Sequence, residues 1–167
     1  MNNQSNSNEK VLKRSAEVLV NVDLNTAFEF ISSSSKLSSW LKSYGKISGC
    51  ESVDVLIDPY NHPNAKRRVN FLDSSSAVEE LISFNPPGNY TYQITDFTSS
   101  VKRLSNKAFG QCWFDTIGDQ TRIKWDYSFT YKNIFARAIL SVILTISYQK
   151  FMTNSLENAK GIIDKRA

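Results

Sequence analysis

The ionisable side chains best placed to do chemistry in this chain of 167 residues are an arginine and a glutamate on two neighbouring apolar segments. Because side chains alternate between the two faces of a strand, Arg67 shares a face with Val69 and Phe71. Glu80 falls on the apolar face of the next segment, which predicts an inward-facing ion pair between Arg67 and Glu80. A one-residue bulge would turn Glu79 inward instead. The pair has two interpretations, a polar contact for a ligand or a salt bridge at the rim of a cavity.

Three residues are candidates for acid–base catalysis: Glu80, Tyr92 and His62, the single histidine. General acid–base catalysis needs only one positioned group, so these residues keep an enzymatic function open. The alternative for His62 is a solvated position in a loop. The sequence lacks a nucleophile with a base and an orienting group, paired catalytic carboxylates and a glycine-rich phosphate loop. Binding is therefore favoured over catalysis, and the catalytic residues are not assigned.

The two cysteines, Cys50 and Cys112, do not have the spacing of metal ligands. We therefore expect no metal and no cofactor, and we expect both thiols to be buried and free. The N-terminal residues contain neither the basic nor the apolar region of a secretory signal, so the cytoplasm is the expected compartment.

The charge distribution argues against a nucleic-acid partner. The formal net charge is only +4, and the longest unbroken basic run is residues 66–68. Nucleic-acid binders concentrate their positive charge on one face, because contacts to clustered phosphates release counterions. The aromatic content of 12% is compatible with the lining of a cavity for a small apolar molecule.

Hydrophobic periodicity divides the chain into a tail and one domain. Residues 1–10 are too polar to order and predict a flexible tail, whereas residues 11–167 predict a single domain. A strand over 15–22 precedes two short helices, and six strands separated by turn residues fill the region from 47 to about 131. Short connections favour an antiparallel sheet, with a tight hairpin at Gly118-Asp119.

A long amphipathic helix is predicted for the C-terminal part, with Asn133 as its N-cap. Its core face, at steps of three and four, is Leu144, Tyr148, Met152, Leu156, Ala159 and Ile163. The start of the helix, residues 134–146, is apolar nearly all round. It is too short to cross a bilayer and contains Arg137, so we expect no transmembrane segment. We expect this stretch to be buried on more than one side, against the sheet and the cavity, with a homodimer contact left open.

Three stretches of sequence carry a family resemblance: RRVNFLD at 67–73, EELISFNPP followed by YTYQI within 79–94, and TRIKWDY at 121–127. With the order of elements, they resemble the SRPBCC or helix-grip superfamily, in its polyketide cyclase/dehydrase and START-like lipid-transport branch. The resemblance implies an α+β helix-grip fold, β-α-α-β6-α. In this fold a curved seven-stranded antiparallel sheet wraps around the long C-terminal helix over an apolar cavity. It also implies that the loop 58–64 lies at the cavity mouth.

Strand alternation within this fold predicts which side chains face the cavity. The small-residue face of the strand from 105 to 117, with Ala108, Gly110 and Cys112, is expected to lie against the helix. The expected ligand-binding residues are Trp40, Arg67, Phe71, Glu80, Tyr90, Tyr92, Trp125, Tyr127, Leu144 and Tyr148.

Three functions remain as hypotheses. The first is binding of a small hydrophobic ligand, such as a lipid or polyketide, by a carrier or sensor. The second is a cyclase- or dehydrase-type lyase or isomerase that uses an acid–base residue of the cavity. The third is a protein- or membrane-interaction module that uses the apolar stretch 134–146.

Overall fold

The computed structural model describes residues 10–166. Of the predicted N-terminal tail, residues 1–9 therefore lie outside the described part of the chain. The strands are β1 Val11–Val20, β2 Cys50–Ile57, β3 Lys66–Phe71, β4 Ser76–Asn85, β5 Asn89–Thr95, β6 Ala108–Ile117 and β7 Gln120–Thr130. The helices are α1 Leu24–Ser32, α2 Leu37–Trp40, α3 Ile134–Ile143 and α4 Gln149–Ile163, with 3-10 turns at Ser34–Lys36, Ser100–Arg103 and Asp164–Arg166. A π-helical turn, Leu144–Tyr148, joins α3 to α4 into one long helix.

The seven strands form one sheet in the order β1-β7-β6-β5-β4-β3-β2. All six neighbouring pairs are antiparallel. The tight hairpin predicted between β6 and β7 is present, and Gly118 there has a φ of +59°, a conformation that glycine adopts without strain. The structure thus confirms the predicted fold class and its order of elements.

Side-chain caps and polar bonds fix the helices against β1. Asp23 caps α1 by accepting hydrogen bonds from the amides of Asn25 and Thr26, and Asn133 caps α3 through the amide of Ala136. Farther along, the side chain of Gln149 donates to the carbonyl of Ser15. Near the chain end, the amide of Asn21 donates to Asp164 Oδ1. The long helix therefore runs alongside β1 in the same direction.

The core lies between the concave face of the sheet and the long helix. The alternating inward residues of β7 are all buried: Ile123, Trp125, Tyr127 and Phe129. All six residues of the predicted helix face are buried as well: Leu144, Tyr148, Met152, Leu156, Ala159 and Ile163. The small-residue face of β6 also points inward, as the alternation predicts.

The orientation predicted for β4 is wrong, and a bulge explains the error. Between Leu81 and Ser83 the register against β5 shifts by one residue. Before the bulge, Glu79 and Leu81 point toward the helix; after it, Phe84 packs on the same side. Because the bulge reverses the alternation, Glu80 does not share a face with Phe84, although the two residues are four positions apart.

The burial predicted for the start of the long helix is also wrong in part. Along α3 only one side is buried, through Ala136 and Leu140. The opposite side is exposed and is formed by Ile134, Phe135, Ile139 and Val142, and by Ile146 in the π turn. One-sided packing leaves the second apolar stripe of this helix in solvent.

A candidate binding cavity between the sheet and the long helix

A cavity of about 420 Å³ lies between the concave sheet, α2 and the long helix. This volume falls within the range of pockets that hold small organic ligands. Ten of the residues that line it are aromatic: Trp40, Phe71, Tyr90, Tyr92, Phe97, Trp125, Tyr127, Phe129, Tyr148 and Phe151. Large rigid rings on opposite walls leave apolar space between them, as a binding site for a hydrophobic molecule requires.

The aromatic side chains of the wall are held in place by their contacts with one another. Trp125 donates from Nε1 to the hydroxyl oxygen of Tyr92 over 3.1 Å. The rings of Trp40 and Trp125 pack edge to face, with centroids 6.1 Å apart. Tyr127 packs directly against Tyr148, with ring centroids 5.1 Å apart, which links β7 to the long helix.

The ring of Tyr92 lies directly across Gly110 on the neighbouring strand. Tyr92 and Gly110 are paired in register between β5 and β6. A Cβ atom placed on Gly110 would lie 2.0 Å from Tyr92 Cζ, far inside contact distance. Glycine is therefore required here because the backbone of β6 forms the surface on which Tyr92 rests.

A buried ion pair supplies the polar part of the wall. Arg67 donates from Nε and from Nη2 to Oε2 of Glu79, with both distances at 2.7 Å. Its third nitrogen, Nη1, donates to the hydroxyl of Ser34 over 3.2 Å. The ring of Tyr60 lies against the guanidinium, 4.3 Å from its centroid to Arg67 Cζ. Burial opposes the charge of Arg67, but Glu79 outweighs this effect and raises the pKa of the arginine.

The predicted partner, Glu80, is on the other face of the sheet. The cross-strand register places Arg67 opposite Glu79, and Lys66 opposite Glu80. The carboxylate of Glu80 accepts a hydrogen bond from Gln93 Nε2 at 3.1 Å and lies 3.3 Å from Lys66 Nζ. The Arg67–Glu80 prediction is therefore corrected to Arg67–Glu79, the alternative that a bulge allows.

The other expected wall residues do line the cavity, namely Trp40, Arg67, Phe71, Tyr90, Tyr92, Trp125, Tyr127, Leu144 and Tyr148. His62 does not: it is exposed, and its Nδ1 lies 2.9 Å from the carbonyl oxygen of Pro63. The loop 58–64 contributes no lining residue and therefore does not form the mouth. Its buried Tyr60 packs behind Arg67 instead.

The sequence did not indicate several lining residues that are only partly buried or are exposed. They come from three loops and from the outer turn of the long helix, and include Ile47, Asp73, Phe97, Val101, Ile143 and Ser147. Loops have no regular alternation, so nothing in their sequence indicated which side chains point inward. The π-helical turn that carries Ser147 and Tyr148 gave no sequence signal either, although such turns are frequent at functional sites.

Both cysteines are free and buried, and Cys112 lies on the cavity wall. Burial raises the pKa of Cys112 to about 12. Burial, together with the field of Glu79, raises the pKa of Cys50 to about 11. Since the thiolate is the reactive form, both side chains are unreactive as long as the protein is folded. Within residues 10–166, no group of three histidine, cysteine or acidic side chains is arranged to hold a metal ion.

We expect the two thiols to resist dithionitrobenzoate near neutral pH in the folded protein and to react fully in guanidinium. Folding raises the pKa of each thiol, so their contribution to stability is complete below the unfolded value of 9.0. It is then lost as the pH rises toward the folded values, because the unfolded thiols ionise first. Urea unfolding at a series of pH values should show this decline. Rapid labelling of both thiols in the native state would contradict the prediction.

Comparisons with known proteins agree with this architecture. Among solved structures, protein TTHA0849 from Thermus thermophilus superposes with a TM-score of 0.70 at 12% identity, covering 93% of this chain and 99% of that one. Ara h 8.0201 gives a TM-score of 0.65 at 12% identity, covering 92% and 98%. The ginseng major latex-like protein 151 from Panax ginseng gives 0.64 at 10% identity, covering 91% and 97%. At these low sequence identities the similarity shows a common fold, and it does not show a common ligand or activity.

No curated protein matches the sequence of this chain at a significant level. One family profile does match, over residues 12–162, and its description is polyketide cyclase / dehydrase and lipid transport. The match spans nearly every element of the sheet and the long helix. The chain therefore belongs to the polyketide cyclase/dehydrase and lipid transport family, within the SRPBCC superfamily.

Proposed function

We propose that this protein binds one small hydrophobic molecule in the cavity and acts in the cytoplasm as a carrier or sensor. The observation that carries the proposal is the cavity of about 420 Å³, rich in aromatic side chains, with the buried Arg67–Glu79 ion pair on its wall. Pockets of this kind bind apolar molecules and orient them through a few polar groups. Two free, buried cysteines are in keeping with a reducing compartment.

The ion pair supports a neutral ligand with a hydrogen-bond donor. Both bonds from Arg67 end on Oε2 of Glu79, so Oε1 is not occupied by the guanidinium. Because Glu79 neutralises the arginine, the ion pair offers an acceptor oxygen and no free positive charge, and the other cation of the lining, Lys46, is an exposed side chain. A hydroxyl group can donate to this oxygen, whereas a carboxylate would be repelled by Glu79. The ligand class that fits is therefore an alcohol or phenol with an apolar body.

A titration with a matched pair of ligands tests this proposal. We expect a long-chain fatty alcohol to bind about tenfold or more tightly than the fatty acid of equal chain length, as expected for a hydrogen bond to a charged group. Quenching of tryptophan fluorescence provides the signal, because Trp40 and Trp125 line the cavity. Native mass spectrometry of protein from its own host identifies a retained molecule.

Two substitutions separate the role of Glu79 from a general effect on the fold. Glu79→Gln should reduce the preference for the alcohol, while Glu80→Gln, on the same strand but the other face, should leave it unchanged. Tyr92→Phe, which removes a hydroxyl from the wall, reports on the cavity without altering the ion pair. Equal or tighter binding of the acid would overturn the ligand class. The absence of any retained or titrated apolar molecule would overturn the proposal itself.

A cyclase- or dehydrase-type reaction is the second candidate, and the same carboxylate favours it. Glu79 presents an oxygen to an apolar enclosure, where a proton transfer to a bound polyketide chain is feasible. In that case Glu79→Gln abolishes turnover, while the variant still binds the polyketide. If the unchanged protein binds a polyketide without converting it, the enzymatic candidate fails and the carrier or sensor function stands.

A further inference from the structure

The first turns of the long helix carry an exposed apolar surface that the cavity does not use. We define the apolar ridge as Ile134, Phe135, Ile139, Val142 and Ile146. Phe135 is 78% exposed, which is unusual for a phenylalanine in a folded chain. From Phe135 the spacing to the last residue of the ridge is four, three and four, so these side chains lie on one side of the helix. The ridge is thus a continuous patch rather than scattered side chains.

The charges on the chain segment that carries the apolar ridge are of one sign. Between residues 127 and 156 the chain contains the cations Lys132, Arg137 and Lys150 and no acidic residue. Two further cations, Lys102 and Arg103, are exposed on the turn before β6. That turn touches the start of the helix, because Lys132 Nζ donates to the carbonyl of Lys102. Apolar side chains beside cations are typical of surfaces that bind anionic membranes.

The apolar ridge also adjoins the partly exposed part of the cavity lining. Ile143 and Ser147, which line the cavity, are each next to a ridge residue along the helix. Val101, another partly exposed lining residue, directly precedes the two cations of the turn. A surface that contacts the ridge would therefore also lie close to this part of the cavity lining.

We propose that the protein docks on an anionic lipid bilayer, with the apolar ridge inserted among the acyl chains and the surrounding cations on the headgroups. Like charges would face each other in a symmetric dimer formed through the ridge, so a second copy is disfavoured as the occupant. The helix Ile134–Ile163 is long and apolar enough, by length and composition alone, to span a membrane. Its second half is packed in the core through Met152 and Leu156, so the helix lies on the bilayer.

Vesicle co-sedimentation tests the docking independently of the proposed ligand, because no cavity ligand is added. We expect binding to vesicles of phosphatidylcholine mixed with phosphatidylglycerol, and at least tenfold weaker binding to phosphatidylcholine alone. High salt should weaken the binding. Replacing one ridge residue, Phe135→Ser or Ile139→Ser, should lower the partition coefficient about tenfold or more. Arg137→Glu should lower it roughly fivefold or more.

The matched control is Ile82→Ser, because Ile82 on β4 is 48% exposed and Ile139 is 50% exposed. Unchanged vesicle binding by this control, together with loss in the ridge variants, supports the proposal. No binding of the unchanged protein to anionic vesicles overturns it. A dimer in light scattering that dissociates in Phe135→Ser also overturns it, because the ridge would then be a contact between copies. Neither result bears on ligand binding in solution, so the two proposals fail separately.

Discussion

Replacing Glu79 with alanine is expected to lower the free energy of unfolding by about 3–5 kcal/mol, the usual cost of removing one partner from a buried ion pair. The side chain of Arg67 is only 3% exposed and receives its compensating charge from Glu79. Without this carboxylate the guanidinium keeps its charge in an apolar enclosure, because arginine does not lose its proton. Urea denaturation followed by far-UV circular dichroism measures the change.

The outer face of the same strand provides the control for this prediction. Glu80→Ala removes a carboxylate whose partner, Lys66, is 39% exposed, so the loss should be about 1 kcal/mol or less. Replacing both members of the buried pair, as Arg67→Met with Glu79→Leu, should recover most of the stability lost by Glu79→Ala. If Glu79→Ala and Glu80→Ala destabilised the protein equally, the faces assigned to these residues on β4 would be contradicted.

Regular elements were predictable from the sequence because each has a period that its burial must follow. The inward residues of β7 and the buried face of the long helix could be predicted from the spacing of apolar residues. One face of such an element is polar because it lies in water, and the other is apolar because it lies in the core. Asn133 was predictable as an N-cap because its side chain replaces a missing backbone acceptor. The family resemblance supplied the arrangement of these elements around a cavity.

The acidic partner of Arg67 was harder to predict, because a shift of one residue along β4 decides whether Glu79 or Glu80 faces inward. The bulge after Leu81 moves the period of β4 by one position, and Phe84 is then buried on the same side as Glu79. Counting back from Phe84 selects Glu80, whereas counting forward from the hairpin with Arg67 selects Glu79. Bulges depend on the partner strand and therefore do not appear in the pattern of one strand.

The exposure of the apolar ridge was unpredictable for a different reason. Residues 134–146 have apolar side chains on both sides of the helix, and periodicity then indicates no preferred face. The structure buries Leu140 on one side and leaves Ile139 exposed on the other. Which stripe is covered depends on how the helix packs against the rest of the protein, a tertiary feature that local sequence does not encode.

Gly110→Ala is expected to destabilise the protein by about 1–3 kcal/mol, as overpacking of a filled core does. The new Cβ would meet Cζ of Tyr92 at 2.0 Å and its hydroxyl oxygen at 2.3 Å. Both strands are central in the sheet, so the ring must move toward the cavity and break its bond with Trp125. We therefore expect weaker ligand binding as well as a lower midpoint of thermal unfolding.

A second substitution and a matched glycine make this prediction specific. Tyr92→Leu in the Gly110→Ala background removes the clashing atoms, so the two changes together should cost less than the sum of the single changes. Gly161→Ala, in α4 with no atom within 4 Å of the new Cβ, should instead stabilise by about 0.5–1 kcal/mol. Strict additivity of the pair would mean that Tyr92 does not rest on Gly110. The cavity wall would then owe its shape to other contacts, and the placement of the tyrosine hydroxyl would no longer follow from the absence of a side chain on β6.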